Sequence, residues 1–124
     1  MDFLSNYSAQ ILGITRIISG LLFLEHGTTK HLNFPPGDMH PAITSLPGAA
    51  GVIEIVAGLL IVLGFYSRCA AFVASGTMAF AYFLVHAPQN FFPVANRGDA
   101  AILFCFIFLY LAAAGPGAFS LNKK

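Results

Sequence analysis

The residues that could do chemistry stand in a few places. The stretch "FLEHGTTKH" (Phe23–His31) closes a long apolar run, yet it carries a carboxylate, two imidazoles and an ammonium. Glu54 stands alone inside a second apolar run, "GVIEIVAGLLIVLGFYSR". His86 ends a third, and Arg97 and Asp99 open a fourth. Imidazole and carboxylate exchange protons with a bound polar ligand, and histidine as a residue type titrates near neutrality. A carboxylate at the centre of a membrane helix costs about 2.5–3.5 kcal/mol on insertion scales, so Glu54 must be paired or protonated. Its candidate partners are Lys30, Arg16 and His26. A purely structural ion pair and a proton or ligand contact both fit that requirement.

Other chemistries find less support. His26, His86 and Glu54 are metal-ligating types, but three separate helices would have to supply them and the spacing is not diagnostic, so no metal is expected. Cys69 and Cys105 form no C-x-x-C pair and read as buried apolar cysteines. No nucleophilic triad, phosphate-cradling glycine loop or haem-attachment motif is present. Six Lys and Arg and a net charge of +1 are too little for a phosphate-tracking patch, which excludes nucleic acid.

The elements that position these groups follow from composition. Of 124 residues, 57% are hydrophobic and 9% charged, where a soluble domain carries about 25% charged residues. So few charges cannot coat a small domain in water, and the solvent must be a lipid bilayer. Met1–Gln10 lacks the basic start of a signal peptide, so the first apolar run reads as a retained helix. Alternation of period two is absent, which argues against a barrel. The expected fold is all-α, an integral membrane four-helix bundle in one domain over residues 1–124. Helices are predicted at about 9–30, 48–66, 69–87 and 98–119, with outer loops at 31–47 and 88–97. "GPG" at Gly115–Gly117 should end or fray the last helix.

Orientation follows from the basic residues. With four helices both termini lie on the side of the "YSRC" turn. That side carries Arg16, Arg68, Lys123 and Lys124, against Lys30 and Arg97 on the other, so the termini are predicted to be cytoplasmic. Lys123 and Lys124 read as a topology anchor, and Arg97 as a headgroup contact.

All four helices then deliver polar groups to one outer third. Glu54 is six residues past Gly48, roughly 9 Å below the outer end of its helix. At 100° per residue Arg16, Ser19, Gly20, Phe23, His26, Gly27 and Lys30 share a face, and Glu25 points away. Ala50, Gly51, Ala57, Gly58 and Ile61 form a small-residue stripe on the side of Glu54, which marks a packed interface. Ser75, Ala79, Tyr82 and His86 line up on the third helix, and Asp99, Phe106 and Tyr110 on the fourth. The prediction is a polar pocket between helices, open outward and closed below by aromatics. Glu54, His26, His86, Arg16, Lys30, Asp99 and Tyr110 are its candidate ligand- or proton-binding residues. Arg16 could instead snorkel to headgroups, Asp99 could cap its helix, and His31 and His40 read as solvated.

At these residues the chain resembles the DoxX family of small bacterial membrane proteins. The likeness rests on "FLEHGTTKHLNFP", "GVIEIVAGLLIVLGFYSR" and "AYFLVHAPQNFFPVANRGDAAILFCFIFLYLAAAGPGAFSL". The family's Arg, His-Gly, Lys and Glu positions correspond to Arg16, His26, Gly27, Lys30 and Glu54. Its H-x-P…N-x-G positions correspond to His86, Pro88, Asn96 and Gly98, which adds Asn96 to the candidate site. Asp99 stands where many relatives have Glu. The resemblance implies a four-helix protein of the inner membrane. The family name derives from a subunit of an archaeal thiosulfate:quinone oxidoreductase.

Two functions are consistent with this. The first is an accessory subunit of a membrane redox complex, with a quinone-like ligand entering sideways. The chain has no evident flavin, haem or iron–sulfur ligand set, so electrons would need a redox partner protein and the chain would not be catalytic alone. The second is a binding or assembly module that holds a partner protein or a lipophilic molecule in the same pocket, as distant eukaryotic relatives resembling cargo receptors and assembly factors suggest. A small transporter fits less well, because no inverted repeat or broken helix is visible. The small-residue faces could also serve a homo-oligomer.

Overall fold

The computed structural model describes residues 1–124. A single turn, α1 (Asp2–Ser5), precedes α2 (Ser8–Leu32), α3 (Leu46–Leu63) and α4 (Ser67–Ala81). α4 runs on into a π-helical stretch, Tyr82–His86, and a short α5 (Pro93–Asn96) precedes α6 (Asp99–Ala114). The chain is all-α, and α2, α3 and the continuous Ser67–His86 helix are each long and apolar enough to cross a membrane. α6 is apolar but shorter, at 16 residues.

Local chemistry sets the boundaries. α2 stops at Asn33, whose left-handed φ of 54° is one that asparagine tolerates. α3 starts at Ser45, whose hydroxyl oxygen accepts the Gly48 N–H at 3.1 Å, with Pro47 in the first turn where no N–H is needed. α3 ends at Gly64 with φ 65°. The fourth helix stops at Ala114, short of the predicted 119, because Gly115 turns the chain away with φ 92°.

Residues 115–124 then fold back as an irregular strap beneath the bundle. Ala118 N–H donates to Ala9 O, Leu121 N–H to Leu63 O and Asn122 N–H to Gly64 O. Arg68 N–H donates to Lys124 O. The strap thus satisfies carbonyls at the end of α3 and an amide in the first turn of α4, groups that no helix can satisfy internally.

α2 packs along α3, α4 along α6, and α3 joins the two pairs, whereas α2 meets α6 only sparsely. Phe23, Ile61, Phe108 and Leu111 form the core with Ala57, Ala70, Ala71 and Ala74. Phe23 meets Phe108 edge-on at 5.0 Å, and Phe104 stacks on Phe108 at 5.6 Å. Only 25 of 124 residues are buried, so most apolar side chains, among them Ile14, Ile18, Leu59 and Phe72, face outward. That outward surface suits hydrocarbon and not water.

α2 and α3 approach closely at Gly27, where a methyl group would lie 2.5 Å from Gly51 O and 2.8 Å from Ile55. Neither backbone can yield without parting the helices. Gly27→Ala is therefore expected to lower stability by about 1–3 kcal/mol. Thermal unfolding in detergent is the check, and an unchanged melting temperature would contradict the close approach.

Candidate functional site

Two polar clusters form at the outer end, the end away from the termini. The first lies between α2 and α3. Lys30 Nζ donates to Glu54 Oε1 at 2.5 Å, with the Glu54 side chain 3% exposed and that of Lys30 20% exposed. The small-residue stripe makes this possible. Gly51 and Gly58 let α3 sit against α2 at Lys30, His31 and Leu24, and Glu54 is buried on the same face of α3. His31 adds a contact across the same interface, its Nε2 lying 2.8 Å from Gly48 O. Composition reads His31 as solvated, but in the structure it is half-buried and ties the end of α2 to the start of α3.

The second cluster holds the loop between α4 and α6. The π-helical stretch, marked by Ala87 N–H donating to Tyr82 O, adds a residue to one turn and re-aims His86. His86 Nδ1 lies 2.9 Å from Asn96 O, and its ring stacks near Tyr82. The Asn96 side chain is fully enclosed. It donates to Asn90 O at 2.9 Å and to Tyr82 Oη at 3.2 Å, and it accepts the Gly98 N–H at 2.8 Å. These bonds pin residues 90–98 onto the bundle.

His26 lies on α2 beside Phe104 of α6. It is exposed, as is the neighbouring Glu25, with its ring edge-on to Phe104 at 6.2 Å. It makes no hydrogen bond. Lys30 follows four residues later, so the imidazole and the Lys30–Glu54 pair lie about one turn apart on adjoining parts of one surface.

Three candidate residues stand elsewhere. Arg16 is far from Glu54 and does not snorkel. It is fully enclosed at the opposite end, donating to Ile61 O at 2.9 Å and to three strap carbonyls: Pro116 at 2.5 Å, Ala118 at 2.9 Å and Phe119 at 2.7 Å. Tyr110 is exposed and lines a groove near the termini, so it cannot close an outer pocket. Eleven residues from Asp99 carry it about 16 Å down the helix. Asp99 is exposed in the first turn of α6, where its charge complements the helix dipole. It makes no side-chain cap bond. The outer groups thus form two separate, internally bonded clusters with His26 beside one of them. Sequence reasoning read His31 as solvated, and it passed over Asn90, whose carbonyl accepts from Asn96 and whose Oδ1 accepts the Phe92 N–H at 2.9 Å.

Such apolar helices, enclosing a few paired polar groups while presenting hydrocarbon outward, define a multi-pass α-helical membrane protein. The model of the DoxX family matches residues 11–87, and the chain belongs to that family. It is 40% identical to an uncharacterised protein of Haemophilus influenzae, over the whole of this chain and 97% of that one. It is 33% identical to an uncharacterised membrane protein of Mycobacterium tuberculosis, over 88% of this chain and 77% of its relative. No solved structure matches.

Proposed function

We propose that this DoxX-family protein is an accessory subunit of an inner-membrane redox complex, not catalytic by itself. Its outer end would receive a quinone-like lipophilic ligand beside His26. In this reading α6 crosses the membrane with the other three helices, its short span completed by the strap, and both termini face the cytoplasm. The supporting observation is His26, an exposed imidazole without a hydrogen bond at the outer end of α2, next to an aromatic ring and one turn from an enclosed ion pair.

The residues fit the chemistry of such a ligand. A ring carbonyl needs a hydrogen-bond donor, which the imidazole N–H supplies, and an apolar flank, which Phe104 supplies. The Lys30 ammonium, partly exposed, places positive charge close by, and Glu54 holds that ammonium in place. A quinone would contribute two-electron redox chemistry, and the electrons would come from a partner protein.

Titrating a quinone analogue into the protein in lipid nanodiscs tests this reading. His26→Ala is expected to weaken binding about tenfold, the loss of one hydrogen bond to the ligand. Its melting temperature should hold, because His26 bonds nothing within the protein. Undiminished binding by the variant, or no binding by the native chain, would sink the proposal. A second reading, a module that docks a partner protein, is favoured by the outer loop, where Phe91, Phe92 and Val94 all stand exposed. Affinity capture from native membranes separates the two: a dehydrogenase or oxidase supports the first, and secreted clients alone support the second.

A further inference from the structure

The sparse contact between α2 and α6 leaves an opening at the end that bears the termini. A groove of about 1100 Å³ lies there, beyond the roughly 300–1,000 Å³ of most small-molecule pockets. Leu12, Thr15 and Tyr110 line it, and the same three residues line a second apolar trough of about 270 Å³ that continues along α6 past Phe106. The two form one path: the trough is apolar, and the wider groove mixes apolar side chains with Ser5, Ser8 and Thr15 and carries Arg68 and Lys123.

Neither cation is neutralised. The protein has a single ion pair, Lys30–Glu54, at the other end. Arg68 donates to Ala113 O at 2.9 Å and Lys123 O at 3.3 Å. Lys123 Nζ donates to Gly117 O at 2.8 Å and Ser120 Oγ at 3.3 Å. Carbonyls and hydroxyls orient these groups but cancel no charge. No acidic residue lines the groove.

We propose that this groove binds an anionic phospholipid of the surrounding leaflet, with an acyl chain in the trough and the phosphate against Arg68 and Lys123. An apolar trough opening into a mixed groove that holds two positive charges matches such a molecule in shape and charge. The guanidinium offers a planar fork to phosphate oxygens and the ammonium a point charge. Basic pockets between helices take anionic headgroups in this way. A second copy of the chain is the poorer occupant, because it would bring two unneutralised Arg68–Lys123 pairs together. The proposal concerns the opposite end from His26 and is independent of the quinone reading.

The chain contains no tryptophan, so Tyr110→Trp places a single fluorophore in the groove. The full chain is reconstituted in phosphatidylcholine vesicles, with brominated phosphatidylglycerol or brominated phosphatidylcholine added as quencher. A preference for the anionic lipid of about tenfold is expected, from two cations near a headgroup. It should fall to about threefold or less when Lys123→Gln is added, and shrink as ionic strength rises. Lys123 is exposed and Arg16 still holds the strap, so a matched melting temperature shows that the variant is folded. Equal quenching by both lipids overturns the proposal, as does a preference that Lys123→Gln leaves unchanged. Shielding from both lipids together with a concentration-dependent cross-linked dimer also overturns it, by assigning the groove to a second copy.

Discussion

Arg16→Ala is expected to destabilise the protein by about 3–5 kcal/mol, the range for breaking a buried charged network. The guanidinium is fully enclosed and is held by four carbonyls, three of them in the strap. Ile61 O would keep its bond from Gly64 N–H, but the Pro116, Ala118 and Phe119 carbonyls would lose theirs. Unfolding in detergent should show the loss, and limited proteolysis should show residues 115–124 cut early. Arg16→Lys should recover less than half, because an ammonium cannot span acceptors arranged around a planar fork. Native-like stability with an uncut strap would show that something else holds it.

Lys30→Met should rank with it, at about 3–5 kcal/mol, since it leaves the Glu54 carboxylate enclosed and unpaired. Glu54→Gln should cost less. The amide oxygen still accepts from Lys30, and the partly exposed ammonium can move toward the surface. Replacing both residues, as Lys30→Met with Glu54→Leu, should recover most of the loss, because no charge then remains between α2 and α3. A double-mutant cycle measures the coupling. Additive single effects would mean that the two groups do not depend on each other.

Much of this arrangement is legible in residue order. Run length marks apolar helices, three of them long and apolar enough to cross a membrane. On α3 the small-residue stripe identifies the packed face, and Gly51, Glu54, Ala57, Gly58 and Ile61 are all buried. On α2 the same phase argument groups Arg16, Ser19, Gly20, Phe23, His26, Gly27 and Lys30, of which His26 is exposed, Lys30 half-buried and the other five buried. What escapes is whatever depends on backbone partners. Arg16 has the look of an ion-pair residue, yet its acceptors are carbonyls in a segment without periodicity. The π-helical turn before His86 has no sequence signature, so a straight-helix projection misplaces that imidazole. Tyr110 shares a face with Asp99, but phase says nothing of depth, and the residue lies near the opposite surface.

The strap also bears on the order of biosynthesis. Residues 115–124 leave the ribosome after α1 to α6, yet they supply three of the four acceptors for Arg16, which lies in α2. Through most of translation that guanidinium has only unfinished surroundings, and it must rest against water, lipid phosphate or the insertion machinery. Docking of residues 116–119 is thus the step that withdraws the charge from those temporary hosts.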